Sequence, residues 1–215
     1  KLANRTQSNG MKVFSILNNY PKGNKTAENA LSVLRQPSFV TLPDTTLTTS
    51  NRPFFIPDFA EPCTVSVQLA VRIGRLGRCI APRFAYRYRD AATVCAVFVA
   101  QGLLQELQAA GLPWDAACAF DGCVALGRFA PLPETGVDNA VCSLVIDGKP
   151  VQSFNTAAAM AGADDLIAQV SRCCTLRQGD ILLTGSPFTG QTAVGINCHL
   201  TARLNGEALL DFNVK

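Results

Sequence analysis

The sequence predicts a mainly β domain with a few helices, an α+β fold. Three observations support this: many short apolar segments alternate with polar residues, strong turn signals separate them, and only two segments show helical spacing. The clearest turn signals are Asp147-Gly148 and Asn205-Gly206, which are typical of two-residue hairpins. A chain of 215 residues with 48% hydrophobic content can bury one sizeable core, so residues 11–215 are expected to form a single domain.

The N-terminal third contains an unpatterned start and one strong strand signal. Residues 1–10 are polar and precede the first methionine, Met11, so we expect a tag or a disordered tail there. Val65 to Gly77 alternates with period two and is rich in β-branched residues, which predicts a strand pair. Its polar side chains Ser66 and Gln68 would share one face and form a candidate site.

Two segments are expected to be helical. Ala91 to Ala110 lies between Asp90 and Gly111 and has apolar residues at helical spacing. Asp90 would then be an ionised carboxylate held at a helix N-terminus, either as part of the site or as a plain cap without chemistry. A second helix is expected from about Thr156 to Ser171.

The composition narrows the class of protein. The net charge is +3 with scattered Lys and Arg, so we expect no nucleic-acid partner and no membrane. Nine cysteines without regular spacing, no Cys-x-x-Cys pair and a single histidine, His199, speak against a disulfide framework and a zinc site. These features predict a reduced, cytoplasmic location.

The bend after the strand Ile181 to Thr184 is a second candidate site. Gly185 opens the backbone there, and Thr184 and Ser186 supply hydroxyls, so the bend is suited to gripping a carboxylate or keto oxygen. The same residues could equally form a tight turn with no ligand.

Several segments, in order and at similar spacing, resemble those of the fumarylacetoacetate hydrolase family. They are Asn19-Tyr20, Leu69 to Arg75, Tyr88 to Asp90, Trp114 with Ala119 to Gly122, Asp147 to Gln152, and Thr175 to Pro187. The resemblance implies a mixed β-roll like the C-terminal domain of that family, usually dimeric. It also implies a Mg²⁺, Mn²⁺ or Ca²⁺ site, held by a Glu-x-Glu pair and a later Asp, that polarises a 2-oxo or β-diketo acid.

The sequence departs from the family pattern at those ligands. Ser66 and Gln68 fall on the two Glu positions, and Asp90 alone of the three carboxylates remains. A hydroxyl and an amide do not replace charge for a strongly hydrated cation, so no cofactor is expected. The alternative is a Mg²⁺, Mn²⁺ or Ca²⁺ ion with Asp90 as a ligand. Cys118 replaces a lysine of the pattern, and Val94 replaces an arginine.

Two interpretations of function stay open, and with them whether the protein is an enzyme. In the first, the usual metal chemistry is lost and the fold binds a small oxo acid or a partner protein. In the second, an active hydrolase, hydratase or isomerase uses a rearranged site, with Asp90 as a candidate catalytic group and Cys118 as a candidate nucleophile. In both, the ligand would contact Ser66, Gln68, Asp90, Gln152, Thr184, Gly185 and Ser186, and a homodimer is expected.

Overall fold

The computed structural model describes residues 10–20, 38–48, 51–132, 136–187 and 191–215. Within these ranges short 3-10 turns and three helices, α1 (Gln101–Ala109), α2 (Asp115–Cys118) and α3 (Ala163–Cys173), connect the strands. The strands are β1 (Val13–Ile16), β2 (Phe39–Leu42), β3 (Leu47–Thr48), β4 (Cys63–Ile73), β5 (Arg89–Ala100), β6 (Val124–Leu126), β7 (Val141–Ile146), β8 (Lys149–Asn155), β9 (Ile181–Leu183), β10 (Thr192–Val194), β11 (His199–Leu204) and β12 (Glu207–Asn213).

These strands form two sheets. The larger sheet has the order β2-β1-β9-β4-β5-β6-β3, with β10 pairing to β4, and it is mixed because β1 with β9 and β3 with β6 run parallel. The smaller sheet is antiparallel, in the order β12-β11-β7-β8. The predicted mainly β, α+β class is confirmed.

The antiparallel pair β4 and β5 is the centre of the larger sheet. One face of the pair packs against the smaller sheet, where Phe98 of β5 contacts Phe212 of β12 at 6.1 Å between ring centroids and stacks on Phe54 at 3.7 Å. Ser66 and Gln68 lie on the opposite face of β4, because side chains alternate along a strand. The predicted shared face is therefore present, although β4 pairs with β5 and not within the segment Val65 to Gly77.

The helix predicted over Ala91 to Ala110 is wrong in its first half. β5 continues to Ala100, and only Gln101 onwards is helical. The strand is buried on both faces from Ala91 to Phe98, so it carries no period-two alternation that would separate it from a buried helix. The second of the two predicted helices corresponds to α3. It begins at Ala163, later than predicted, and the amide of Ala163 donates to Asp138 Oδ1 at 2.7 Å.

Both hairpin turns lie where the sequence predicts them. Asp147 and Gly148 have φ of 49° and 77°, and Asn205 and Gly206 have φ of 50° and 87°. Left-handed φ at both central residues matches the right-handed twist of the flanking strands. These turns join β7 to β8 and β11 to β12, and so build the smaller sheet.

A gap in the larger sheet positions the candidate site. β4 is flanked on one side by β10 at residues 63–65 and by β9 at residues 70–72, which leaves residues 66–69 of β4 without a strand partner there. The chain leaves the sheet after Leu183 and re-enters it at Thr192, so the two strands that border the gap are consecutive in sequence.

Two further expectations concern the N-terminal residues and the absence of a membrane partner. Residues 1–9 lie outside the described residues, so the tag or tail over residues 1–10 and the domain boundary at residue 11 stay predictions. No helix in the described part of the chain is both long and apolar enough to cross a membrane.

Candidate functional site

Polar side chains fill the gap beside β4. The amide of Val67 donates to Gln152 Oε1 at 2.8 Å, and the carbonyl oxygen of Leu69 accepts from Thr184 N at 3.0 Å and Thr184 Oγ1 at 3.3 Å. The amide of Gly185 donates to Gln68 Oε1 at 3.2 Å. The structure thus brings together four of the predicted site residues, which come from strands distant in sequence.

Asn19 anchors the bend that carries Thr184 and Gly185. It is 1% exposed, and its Nδ2 donates to the carbonyl oxygens of Ala161 at 3.1 Å and Thr184 at 2.9 Å. Its Oδ1 accepts from the amide of Ala161 at 3.0 Å. Asn19 is not among the site residues predicted from the sequence, although the Asn19-Tyr20 resemblance was a signal for it.

Gly185 allows the bend to approach the end of β1. Its φ is +86°, and a Cβ at this position would lie 3.2 Å from the carbonyl oxygen of Ile16 and 4.0 Å from Tyr20 Cδ2. A side chain would therefore be strained in conformation and crowded against backbone. The bend at Gly185 thus lies close to Tyr20, and its amide also bonds Gln68 Oε1.

A cavity of about 390 Å³ opens next to this cluster. Its lining includes Tyr20, Val97, Trp114, Cys118 and Ser186. The described part of its wall carries neutral polar and apolar side chains and no charged one. The cavity therefore suits a small molecule that is held by hydrogen bonds and by its shape. Ser186, one of the predicted ligand-binding residues, lines it.

Asp90 does not join the other predicted residues. The cross-strand partner of Ser66 is Val97, and Asp90 lies seven residues earlier on β5, which at about 3.3 Å per residue is about 23 Å away. Its carboxylate is 40% exposed and forms an ion pair with Arg72, with Arg72 Nε 2.8 Å from Asp90 Oδ1. The prediction that Asp90 completes the site with Ser66 and Gln68 is wrong, because Asp90 lies at the start of β5 and the register places Val97 and not Asp90 opposite Ser66.

The donor set at the gap does not fit a hard divalent cation. Ser66 supplies a hydroxyl, Gln68 an amide whose Oε1 is already bonded to Gly185, and the facing Val97 supplies no donor. No group of three His, Cys, Asp or Glu side chains within the described ranges could hold a metal ion. Mg²⁺ and Ca²⁺ require several oxygen ligands with carboxylates among them.

Two buried polar atoms at the gap have no hydrogen-bond partner, namely the Tyr20 hydroxyl and Gln152 Nε2. Burial raises the pKa of Tyr20 well above its ordinary value, Cys142 raises it further, and the neighbouring Thr184 side chain partly offsets the rise. The phenol is therefore a proton donor at neutral pH and not a base.

Cys118 lies in the cavity wall but is not an activated thiol. Burial, with a smaller contribution from Asp115, raises its pKa to about 11. Its Sγ donates to the carbonyl oxygen of Trp114 at 3.4 Å. Because the thiolate is the nucleophile, the protonated thiol of Cys118 is inert at neutral pH.

This inertness gives a direct labelling test. At neutral pH iodoacetamide is expected to modify Cys118 much more slowly than the exposed Cys173, and its rate should climb as the pH rises toward 11. Peptide mass spectrometry on timed samples measures both rates in one protein. Fastest labelling at Cys118 at neutral pH would reinstate it as a nucleophile.

A larger hollow of about 510 Å³ lies elsewhere, bordered by Met11, Leu76 and Asp180. The Asp180 carboxylate is 1% exposed and accepts from Lys12 Nζ at 2.8 Å, Lys12 N at 2.9 Å and Arg177 N at 2.8 Å. These bonds join the start of β1 to the turn before β9, which is a structural role.

The fold is a mainly β, α+β fold of two sheets, and sequence comparison gives the family. The chain belongs to the fumarylacetoacetate hydrolase family, because the family model described as fumarylacetoacetate (FAA) hydrolase C-terminal matches residues 12–210. The predicted resemblance is confirmed. The match covers β1 to β12 apart from the last residues.

Among similar proteins are two oxaloacetate tautomerases. The oxaloacetate tautomerase YcgM of Escherichia coli is 30% identical over 92% of this chain and 90% of its own length. The mitochondrial oxaloacetate tautomerase FAHD1 of Rattus norvegicus is 27% identical over 96% of this chain and 92% of its own length. Relatives thus include mitochondrial and bacterial proteins, and the cytoplasmic location stays a prediction.

Solved structures with the same fold include a fumarylacetoacetate hydrolase family protein from Yersinia pestis CO92. It has a TM-score of 0.84 and 29% identity, covering 95% of this chain and 92% of that chain. A fumarylpyruvate hydrolase from Pseudomonas aeruginosa, solved with Mn²⁺ and pyruvate, has a TM-score of 0.82 at 22% identity and covers 94% of this chain and 88% of its own. That likeness concerns the fold alone. Because this protein of the same fold was solved with Mn²⁺, the expectation that no metal is used has no support from the comparison.

Proposed function

We propose that this protein is an enzyme that binds a small 2-oxo acid and catalyses its keto–enol tautomerisation at the gap beside β4. The observation that carries the proposal is the nearly full-length likeness, at up to 30% identity, to oxaloacetate tautomerases. This likeness favours the rearranged active site over the interpretation that the chemistry is lost. The homodimer expected from the sequence remains part of the proposal.

The site geometry supports tautomerisation over the other reactions considered. Hydrolysis or decarboxylation breaks a C–C bond and leaves a carbanion-like fragment, which calls for strong charge stabilisation. Tautomerisation only moves a proton between the carbonyl oxygen and the α-carbon, the carbon next to the carbonyl carbon, and positioned donors can support it. The neutral groups around Gln68, Gly185 and the cavity fit the less demanding reaction.

The direct test is the enol-to-keto conversion of oxaloacetate, followed by the loss of the enol's ultraviolet absorbance. We expect faster decay with the protein than without it, in EDTA as well as in buffer with added Mn²⁺. Boiled protein is the control for buffer catalysis. If the folded protein does not accelerate the decay of the enol in either buffer, the proposal is refuted.

A second candidate is a fold that has lost catalysis and only binds an oxo acid. The donor set of Ser66, Gln68 and Val97, which lacks any carboxylate, is the specific observation in its favour. It differs from the first candidate in one measurement: ligand binding without any change in the decay rate of the enol.

A further inference from the structure

We propose that the Tyr20 hydroxyl and the Gln152 amide form a neutral hydrogen-bonding site for the keto or enolate oxygen of the ligand, so that this chain needs no metal ion there. The inference rests on the proposed function and deepens it by naming the groups that contact the ligand. It also follows from the poor fit between the donor set at Ser66, Gln68 and Val97 and a divalent cation.

Both groups are buried and lack a partner. Tyr20 is 5% exposed and Gln152 is 7% exposed, and neither the hydroxyl nor Nε2 of the amide has a partner in hydrogen-bond geometry, although the Thr184 side chain lies near enough to the hydroxyl to lower its pKa. Burying a polar group without a partner is costly, and most such groups in proteins are satisfied by protein, water or ligand. Two unsatisfied donors in one region therefore indicate a place where another molecule binds.

The two groups lie on the same side of β8. The ring of Tyr20 packs edge-on against Phe154 at 5.2 Å between centroids. Phe154 follows Gln152 by two residues in a regular stretch of the β7–β8 ladder, so their side chains point the same way, about 7 Å apart along the strand. Gln152 is fixed at its other end, since Oε1 accepts from the amide of Val67 at 2.8 Å.

Access to a ligand comes from the cavity, whose lining includes Tyr20. The bend at Gly185 lies against Tyr20 and also donates to Gln68, so the ligand would rest beside the bend. A molecule that reaches Tyr20 from the cavity therefore arrives next to the gap where Gln152 and Thr184 bind the backbone of β4.

The chemistry of the two groups fits an oxygen that gains negative charge. The Gln152 amide can only donate from Nε2, and Tyr20 stays protonated because burial raises its pKa. Fixed donors aimed at a developing enolate oxygen stabilise it without moving during the reaction. They would do by hydrogen bonding what a metal ion does as a Lewis acid.

Two substitutions remove one donor each and leave the rest of the side chain in place. Tyr20→Phe deletes only the hydroxyl, and Gln152→Glu keeps Oε1 for Val67 while replacing the NH₂ donor by an acceptor. Tyr86→Phe and Gln178→Glu make the same chemical changes at exposed positions and serve as matched controls. The probe is pyruvate in EDTA, titrated by ligand-observed NMR, which detects weak binding.

We expect each site variant to weaken pyruvate binding by roughly tenfold or more, since each loses a hydrogen bond to a charged or strongly polar oxygen. The controls should bind like the parent protein. Thermal unfolding without ligand should show Tyr20→Phe at least as stable as the parent, because an unsatisfied buried hydroxyl has gone. A purely structural role for Tyr20 would instead lower its stability.

The outcomes separate this inference from the proposed function. Turnover and binding that persist in EDTA in both variants would overturn the inference but would leave the proposed function standing. Ordered water alone at the Tyr20 hydroxyl and Gln152 Nε2 would overturn the inference in the same way. Binding that appears only with Mn²⁺ would also overturn it. Weakened binding in the variants without turnover by the parent protein would support the inference and reject the function. No pyruvate binding by the parent protein would reject the inference.

Discussion

Replacing Ser66 and Gln68 by glutamate and Val97 by aspartate is expected to create a divalent-metal site of three carboxylates at the gap. Ser66 and Val97 are cross-strand partners with Cβ atoms about 5 Å apart, and Gln68 follows on the same face of β4. Three carboxylates at this spacing suit Mn²⁺. Without metal, their mutual repulsion and burial should lower the free energy of unfolding by several kcal/mol.

Added Mn²⁺ should therefore raise the unfolding temperature of the triple variant strongly and leave that of the parent unchanged, because binding to the native state stabilises it. Thermal unfolding with and without Mn²⁺ measures this. The matched control changes only Ser66 and Gln68 and keeps Val97, and it should respond much less although Asp90 is present. An equal response in this double variant would contradict the placement of Val97 opposite Ser66.

The fold was largely predictable because its signals are local. The dipeptides Asp147-Gly148 and Asn205-Gly206 permit left-handed φ at low cost, and both produce the expected hairpins. The period-two pattern around Ser66 and Gln68 likewise placed both on one face of a strand. Each of these features depends on neighbours within a few residues.

The first half of the predicted helix is in fact β5, and this error arises because the residues that cover the two faces of β5 are distant in the sequence. A strand covered on both faces is apolar throughout, and a run of apolar residues next to a true helix looks like one longer helix. The error displaced Asp90, which was expected at a helix start near the site and lies at the far end of the β4–β5 ladder. The identity of Val97 as the partner of Ser66 follows only from the register.

The sequence predicts which of the remaining residues belong to the site, but not the contacts that they make with β4. Gln152, Thr184 and Gly185 were expected to touch a ligand. In the structure Gln152 and Thr184 satisfy the backbone of β4 where it lacks a neighbouring strand, and Gly185 donates to the Gln68 side chain. The gap arises from the separate pairing of β9 and β10, which no single segment of sequence encodes. The unpaired state of the Tyr20 hydroxyl is equally a product of packing.

Asn19→Ala is expected to be the most destabilising single substitution near the site. It removes three buried hydrogen bonds and leaves the carbonyl oxygens of Ala161 and Thr184 and the amide of Ala161 without partners. At about 1–3 kcal/mol for each group left unsatisfied, the free energy of unfolding should fall by roughly 3 kcal/mol or more. Urea unfolding of the parent and the variant measures the loss.

Asn139→Ala is the matched control. This exposed asparagine makes one side-chain hydrogen bond, in which its Oδ1 accepts from Asn155 Nδ2 at 2.8 Å. The loss of that bond should change the free energy of unfolding by no more than about 0.5 kcal/mol.

Since Asn19 holds both Thr184 and the segment that carries Tyr20, Asn19→Ala should also weaken pyruvate binding wherever the variant remains folded. A loss of less than about 1 kcal/mol would mean that water or a shifted backbone replaces the three bonds. The bend would then be held by the hydrogen bonds of Thr184 to Leu69 and of Gly185 to Gln68, and the site would owe its shape to the sheet gap and not to Asn19.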